Sequence, residues 1–285
     1  MYFPRYWAKA SIDGPGRLGK TVNVLAWGWS DVSTDDALRH ATERARALLP
    51  RIPPVPGTAR QQAYYGDRPF REPILEDLSK GPIKALITRN SLGCEVLNTD
   101  CAAFADIDFD PPRLGFFQSL FGGRKKVVEA QTLWEQETLE KLRQVQSGAR
   151  SLSFRVYRTA GGLRLLIVSR LLPGDNAEAE KWLVAVGSDP LYLRLCHNQK
   201  SYRARLTPKP WRCGLKQLKV QFPWATEPEQ KRFEKWLASY QSKCTTFAVC
   251  DYIETIGLDK PAPELKSIIV LHDERTSVGK GFPLA

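Results

Sequence analysis

The chain has few of the side chains that bind soft metals or build disulfide frameworks. It has only three histidines, and its six cysteines are scattered without a C-x-x-C pair. Structural zinc sites draw about four such ligands from closely spaced pairs, so the sequence disfavours zinc. Thiols dispersed in this way are typical of reduced, buried cysteines in a cytoplasmic protein.

Long apolar runs are also missing. No segment approaches the ~18 apolar residues that a membrane-spanning helix requires. The first residues, MYFPRYWAKASID, lack the apolar core and the small-residue cleavage site of a signal peptide. We therefore expect a cytoplasmic protein with no membrane partner, and its 285 residues suffice for one large domain or two small ones.

Acidic residues are absent from a long tract in the second half of the chain. After Asp189 the next acid is Glu227. Eight basic residues lie between them: Arg194, Lys200, Arg203, Arg205, Lys209, Arg212, Lys216 and Lys219. Ordinary surfaces mix the two signs of charge. With a net charge of +11, this basic tract predicts a polyanionic partner, with nucleic acid favoured over a membrane surface.

The most informative stretch is CAAFADIDFDPP, at 101–112. In a strand, Asp106, Asp108 and Asp110 share one face at intervals of about 7 Å, while Ile107 and Phe109 lie on the core face. Carboxylates at this spacing repel each other unless a cation neutralises them. Hard cations such as Mg²⁺ or Mn²⁺ take oxygen ligands and suit this face. The alternative is a solvated strand face that ends in a turn.

Strand and helix patterns elsewhere in the chain predict an α+β fold, with a mostly antiparallel sheet and packed helices. The predicted strands cover 2–12, 22–30, two or three segments of 64–99, 102–110, 151–158, 163–169, 201–206 and 267–274. The predicted helices cover 33–49, 125–146, 176–187, 227–241 and 245–256. We divide the chain into a hairpin-and-helix module (1–58), a core (59–225) and a C-terminal helical extension (226–285).

The segment GPGRLGKT, at 14–21, matches the phosphate-loop pattern G-x-x-x-x-G-K-[ST]. That loop binds phosphate only where a helix begins at the Lys-Thr pair. Here Thr21 is followed by VNVLAWGW, which is typical of a strand. We interpret the segment as a glycine-rich hairpin loop, with a phosphate-loop enzyme as the alternative.

Three segments follow one another in a suggestive order. A strand carries Asp106-x-Asp108, a hairpin bends through TAGGLR at 159–164, and Asp189 precedes NQKSYRAR at 198–205. Over about residues 100–210, this order resembles the archaeo-eukaryotic primase superfamily and, within it, the primase-polymerase group. Those proteins have a D-x-D strand, an S-x-H motif on a following strand and a third acid, which some members follow with an N-R-N-F-R-like run.

The resemblance implies an RRM-like primase-type core and a nucleotidyltransferase that acts on DNA or RNA with nucleoside triphosphates. It implies that Asp106, Asp108 and Asp189 are the catalytic acids and hold Mg²⁺ or Mn²⁺. The residues implied to bind nucleotide or nucleic acid are Arg158, Thr159, Arg164, Asn198, Lys200, Arg203, Arg205 and Lys209. The sequence departs from the family at Arg164, which stands where the histidine is usual, and at Thr159, which replaces the serine.

Two other functions use the same parts. A metal-dependent nuclease would cleave the same phosphodiester with water as the attacking group. A non-catalytic nucleic-acid-binding protein of a replication system or mobile element would retain the basic surface and stack bases on aromatic rings. The aromatic candidates for such stacking are Tyr192, Tyr202, Trp211, Phe222 and Trp224.

Overall fold

The computed structural model describes residues 1–16, 21–51, 69–111, 123–220, 222–224 and 226–285. Within these ranges the chain forms ten β-strands and six α-helices, and all strand ladders are antiparallel. The predicted α+β class with antiparallel sheets is confirmed. The strands are β1 Tyr6–Pro15, β2 Thr21–Ser30, β3 Ile74–Asp77, β4 Ala85–Arg89, β5 Glu95–Thr99, β6 Phe104–Asp108, β7 Phe154–Thr159, β8 Gly162–Ile167, β9 Tyr202–Arg205 and β10 Cys250–Ile256. The helices are α1 Thr34–Leu48, α2 Gly123–Gly148, α3 Ala177–Ala185, α4 Pro190–Gln199, α5 Glu227–Cys244 and α6 Lys266–Arg275.

The N-terminal hairpin pairs β1 with β2 along their whole length and packs one face on α1. Gly28 permits the close contact, because a Cβ there would lie 2.2 Å from the carbonyl oxygen of Ala37. Since β2 begins at Thr21, a strand stands where a phosphate loop needs a helix, and the hairpin interpretation is confirmed. Loop residues 17–20, Lys20 among them, lie outside the described residues.

A four-stranded sheet in the order β10-β7-β8-β6 carries the D-x-D strand. The strands predicted at 102–110, 151–158 and 163–169 are confirmed as β6, β7 and β8. The helix predicted over 245–256 is wrong, since Cys250–Ile256 forms strand β10 at the edge of this sheet. Its β-branched and aromatic residues favour a strand once β7 offers a free edge. The C-terminal part of the chain therefore supplies one strand of the sheet that carries Asp106 and Asp108.

The strand predicted over 267–274 is also wrong, because the segment lies in helix α6. Ile268, Ile269 and His272 are its buried residues, and their spacing is that of one helix face. A short apolar run does not by itself distinguish a buried strand from a buried helix.

A second four-stranded sheet, in the order β3-β4-β5-β9, contains the start of the basic tract. Its apolar residues belong to the same hydrophobic core as those of the first sheet. Strands β6 and β9 are neighbours in space, although they belong to different sheets. The acidic strand and the basic tract are therefore adjacent in the fold.

Asp189 caps the start of helix α4. Its carboxylate Oδ1 accepts a hydrogen bond of 2.8 Å from the backbone N–H of Tyr192, and Pro190 is the first residue of α4. Both features favour a helix start.

No helix in the described ranges is long and apolar enough to cross a membrane. All six cysteines are free thiols.

Candidate functional site

A polar cleft of about 170 Å³ opens where strands β6, β8 and β9 meet the start of α4. The side chains and backbone that line it are Asp106, Asp108, Thr159, Gly161, Leu163, Arg164, Asp189, Tyr192, Arg205, Lys209 and Arg212. All three predicted catalytic acids are among them, together with four of the predicted binding residues. The cleft also contains Tyr192, which was a candidate for base stacking, and Arg212, which belongs to the basic tract but was not among the predicted site residues.

The acidic wall of the cleft consists of Asp106, Asp108 and Asp189. The pairing of β6 with β8 positions the first two of them. Asp106 pairs with Arg164, and Asp108 pairs with Gly162. A Cβ at Gly162 would lie 2.0 Å from the carbonyl oxygen of Ile107, so the hairpin bend approaches β6 this closely only as glycine. The backbone N–H of Phe109 also donates to the carbonyl of Gly161 at 2.8 Å. The glycine-rich bend therefore holds the end of the D-x-D strand.

Asp189 reaches the same wall through the backbone. Its N–H donates to the carbonyl oxygen of Asp106 at 3.1 Å, which fixes the start of α4 beside β6. The Tyr192 hydroxyl donates to the Arg203 carbonyl at 3.2 Å and accepts from its N–H at the same distance. Helix α4 is thus attached to both β6 and β9, and the third acid stands next to the first two.

Arg164 is a buried clamp between the sheets, with only 1% of its side chain exposed. Its Nε donates to Asp106 Oδ1 at 2.9 Å, and its Nη1 donates to the carbonyl oxygen of Arg205 at 2.9 Å. Burial alone would lower the pKa of the guanidinium, but the Asp106 carboxylate outweighs this effect and raises the pKa. Both hydrogen-bond acceptors are atoms of the protein itself, so the role of Arg164 is to position Asp106 and β9.

The electrostatics of the acidic wall favour a bound cation. Burial raises the pKa of Asp108, and the neighbouring carboxylates of Asp106 and Asp189 raise it further. Lys209 and Arg205 act in the opposite direction, but each has a smaller effect. No ion pair joins the three aspartates to these two cations within the described part of the chain. A positive charge between the carboxylates would relieve their repulsion.

The basic wall of the cleft consists of Arg205, Lys209 and Arg212, and its electrostatics favour a bound anion. Arg205, Lys209 and Arg212 lie together, and burial followed by the repulsion of Arg205 lowers the pKa of both Lys209 and Arg212. A buried cation whose pKa is lowered by like charges gains from an anion in the same space. The wall is therefore suited to phosphate oxygens.

Four of the predicted binding residues do not line the cleft: Arg158, Asn198, Lys200 and Arg203. Three of them form ion pairs elsewhere, Arg158 with Glu135 at 2.7 Å, Lys200 with Asp175 at 3.1 Å and Arg203 with Glu72 at 2.8 Å. Arg203 and Glu72 are both largely buried, so this pair serves the packing of β9. Charge spacing along a sequence does not reveal such partners, so it could not show that these residues lie outside the cleft.

The donor set of the cleft is chemically suited to a hard divalent cation, but its geometry is loose. Asp106 and Asp189 each commit one oxygen to a protein hydrogen bond, which leaves their second oxygens and both oxygens of Asp108. Over the described ranges, no three or more His, Cys, Asp and Glu side chains are grouped closely enough to hold a metal ion. The Mg²⁺ or Mn²⁺ site thus stays a prediction that rests on carboxylate chemistry and charge.

Comparisons of the chain with protein-family models, with curated proteins and with solved structures gave no match.

Proposed function

We propose that this chain is a divalent-metal-dependent nucleotidyltransferase of the primase-polymerase type, which joins nucleoside triphosphates on a DNA or RNA template. One observation carries the proposal: besides the buried Arg164, a single cleft brings three aspartates together with three cations, Arg205, Lys209 and Arg212. An antiparallel sheet presents Asp106 and Asp108 at the cleft, and the RRM-like primase-type core implied by the resemblance is part of the proposal.

The two walls divide the work that nucleotidyl transfer requires. A divalent cation held by the aspartates would neutralise the negative charge on the reacting oxygens. The basic wall would hold the triphosphate and stabilise the negative charge that develops on the leaving pyrophosphate. The bend at Gly162 and the clamp at Arg164 would keep the acidic wall rigid while nucleotides enter and leave.

The test is incorporation of labelled nucleotides on primed and unprimed templates with Mg²⁺ or Mn²⁺, comparing wild type with Asp108→Asn. Asp108 is only partly covered by the protein and carries no structural hydrogen bond within the described residues, so this variant should retain the fold. Asp106→Ala is a poorer probe, because it also removes the partner of buried Arg164. Asp35→Asn, on the exposed first turn of α1, is the matched control.

We expect incorporation that is lost in Asp108→Asn and retained in Asp35→Asn. Incorporation that survives Asp108→Asn would refute the metal site on β6. Cleavage of the template in place of extension would assign the same cleft to a nuclease.

A specific observation also favours non-catalytic binding of nucleic acid as a second candidate. Asp106 and Asp189 have structural duties, the first toward Arg164 and the second as the cap of α4, and a binding protein needs nothing more from them. Such a protein would show no incorporation, yet it would bind nucleic acid in a salt-sensitive way. Asp108→Asn would then tighten binding, since it removes one negative charge from the cleft.

A further inference from the structure

Trp211 projects a large aromatic ring into solvent beside the basic wall of the cleft. Its relative exposure is 51%, which is high for tryptophan. It lies in the short 3-10 turn Pro210–Cys213, between Lys209 and Arg212, which both line the cleft. The ammonium group of Lys209 lies 5.6 Å from the centre of the Trp211 ring.

The other aromatic candidates for stacking are engaged in the fold. Tyr202 is fully buried, and the hydroxyl of Tyr192 is bonded to the backbone of β9. Phe222 and Trp224 pack against each other with ring centres 5.6 Å apart. Among these five rings, Trp211 is the one with an exposed face.

The turn that carries Trp211 is closed by its own backbone hydrogen bonds. The N–H of Arg212 donates to the carbonyl of Lys209 at 2.9 Å, and the N–H of Leu215 donates to that of Pro210 at 2.9 Å. A Cβ at Gly161 would lie 3.1 Å from the guanidinium of Arg212, so the end of that side chain lies beside the hairpin bend. An exposed ring on a fixed turn binds a flat ligand at a low cost in conformational entropy.

We infer that Trp211 is a stacking platform for the nucleobase of the nucleotide whose phosphates occupy the cleft. The inference rests on the proposed function, to which it adds how the substrate's base is held. Lys209 stands between the ring and the cleft, so one ammonium group reaches both the base platform and the phosphates. Stacking accepts any base, as a template-directed enzyme requires, because every base has a π-face.

The experiment compares the binding of ATP with that of inorganic tripolyphosphate, both with Mg²⁺, by titration calorimetry. The variants are Trp211→Ala, Trp211→Leu, which keeps apolar area without a ring, and Trp211→Phe, which keeps a ring. Trp182→Ala is the matched control, since Lys181 lies 5.4 Å from the centre of that ring, which is on α3 outside the cleft.

We expect Trp211→Ala and Trp211→Leu to weaken ATP binding by about 5- to 100-fold. Tripolyphosphate binding should be unchanged, Trp211→Phe should recover most of the ATP affinity, and Trp182→Ala should behave as wild type.

Other outcomes would overturn the inference in distinguishable ways. Equal losses for ATP and tripolyphosphate would mean that the ring only supports the turn. A loss confined to a single-stranded oligonucleotide, with ATP binding intact, would assign the ring to a nucleic-acid strand. Wild-type protein that binds tripolyphosphate as tightly as ATP would exclude a base platform and leave the phosphate site standing. Wild-type protein that binds neither would refute the proposed function, and the platform with it.

Discussion

The backbone N–H of Asp189 donates to the carbonyl oxygen of Asp106 at 3.1 Å. This bond joins the first residue before α4 to the middle of β6, and it involves main-chain atoms alone. Substitutions of either side chain therefore leave the link in place. The backbone therefore holds the first and third acids of the cleft next to each other. Variants at these two positions can remove a carboxylate charge while the main-chain hydrogen bond remains.

Asp106→Ala should destabilise the protein by about 1.5–3 kcal/mol, because the buried Arg164 guanidinium loses the carboxylate that neutralises it. Urea denaturation monitored by fluorescence measures the change. The double variant Asp106→Ala/Arg164→Met should recover part of the loss, since it also removes the unpaired charge. If Asp106→Ala unfolds at the same urea concentration as wild type, Arg164 is not a clamp.

Asp108→Asn should make the protein more stable near neutral pH. Burial and the neighbouring carboxylates raise the pKa of Asp108 in the folded state above its ordinary value of 3.8, so the folded protein holds this proton more tightly than the unfolded chain does. The ionised carboxylate therefore disfavours folding as pH rises from 3.8 through the raised pKa, and the penalty stays constant above it.

The measurement is the free energy of unfolding of Asp108→Asn minus that of wild type, at about pH 7 and about pH 4. The difference should be positive at the higher pH and should shrink at the lower one. A difference that grows on acidification would reverse the sign and contradict the crowding of the three aspartates.

Gly162→Ala should disrupt the acidic wall, because its Cβ would overlap the carbonyl oxygen of Ile107. We expect a loss of more than about 1 kcal/mol in unfolding free energy, together with loss of incorporation. Gly148→Ala, at the end of α2, meets no atom within 4 Å and should be neutral or stabilising. Thermal denaturation of both variants decides the matter, and a harmless Gly162→Ala would mean that the bend can relax away from β6.

Lys209→Gln should weaken tripolyphosphate binding, whereas Lys200→Gln should leave it unchanged. Both lysines belong to the basic tract, but Lys209 lines the cleft and Lys200 pairs with Asp175 outside it. Binding titrations at several salt concentrations should show a shallower salt dependence for Lys209→Gln alone. Equal effects of the two variants would mean that the tract binds phosphate through its overall charge.

The sequence predicted most of the elements that build the cleft, since their signals are local. The alternation around Asp106 and Asp108, the glycine-rich bend and the alternation of Tyr202–Arg205 are visible in short windows. The two C-terminal errors, at 245–256 and 267–274, have a different origin. A strand at a sheet edge and a buried helix are stabilised by distant partners, here β7 and the core around Phe104, which no short window contains.

The structure brings the three predicted aspartates and four of the eight predicted binding residues into one cleft. Order along the chain was sufficient to nominate the three aspartates. It was insufficient to distinguish Arg205, which faces the cleft, from Arg203, two residues earlier on the same strand, which is committed to Glu72. Arg212 was missed because nothing local distinguishes it from the other cations of the tract. Only the three-dimensional fold shows that its guanidinium lies beside the bend at Gly161.

Strand β10 has a consequence for the order of assembly on the ribosome. It covers the edge of β7, and the thiol of Cys250 lies 3.5 Å from Nη1 of Arg164. While the chain is being synthesised, the acids on β6 and their hairpin partner emerge long before this last strand. Until β10 arrives, β7 presents an unpaired edge that can recruit other chains. The Arg164 guanidinium, which positions Asp106, therefore gains its contact with Cys250 only after β10 has been synthesised.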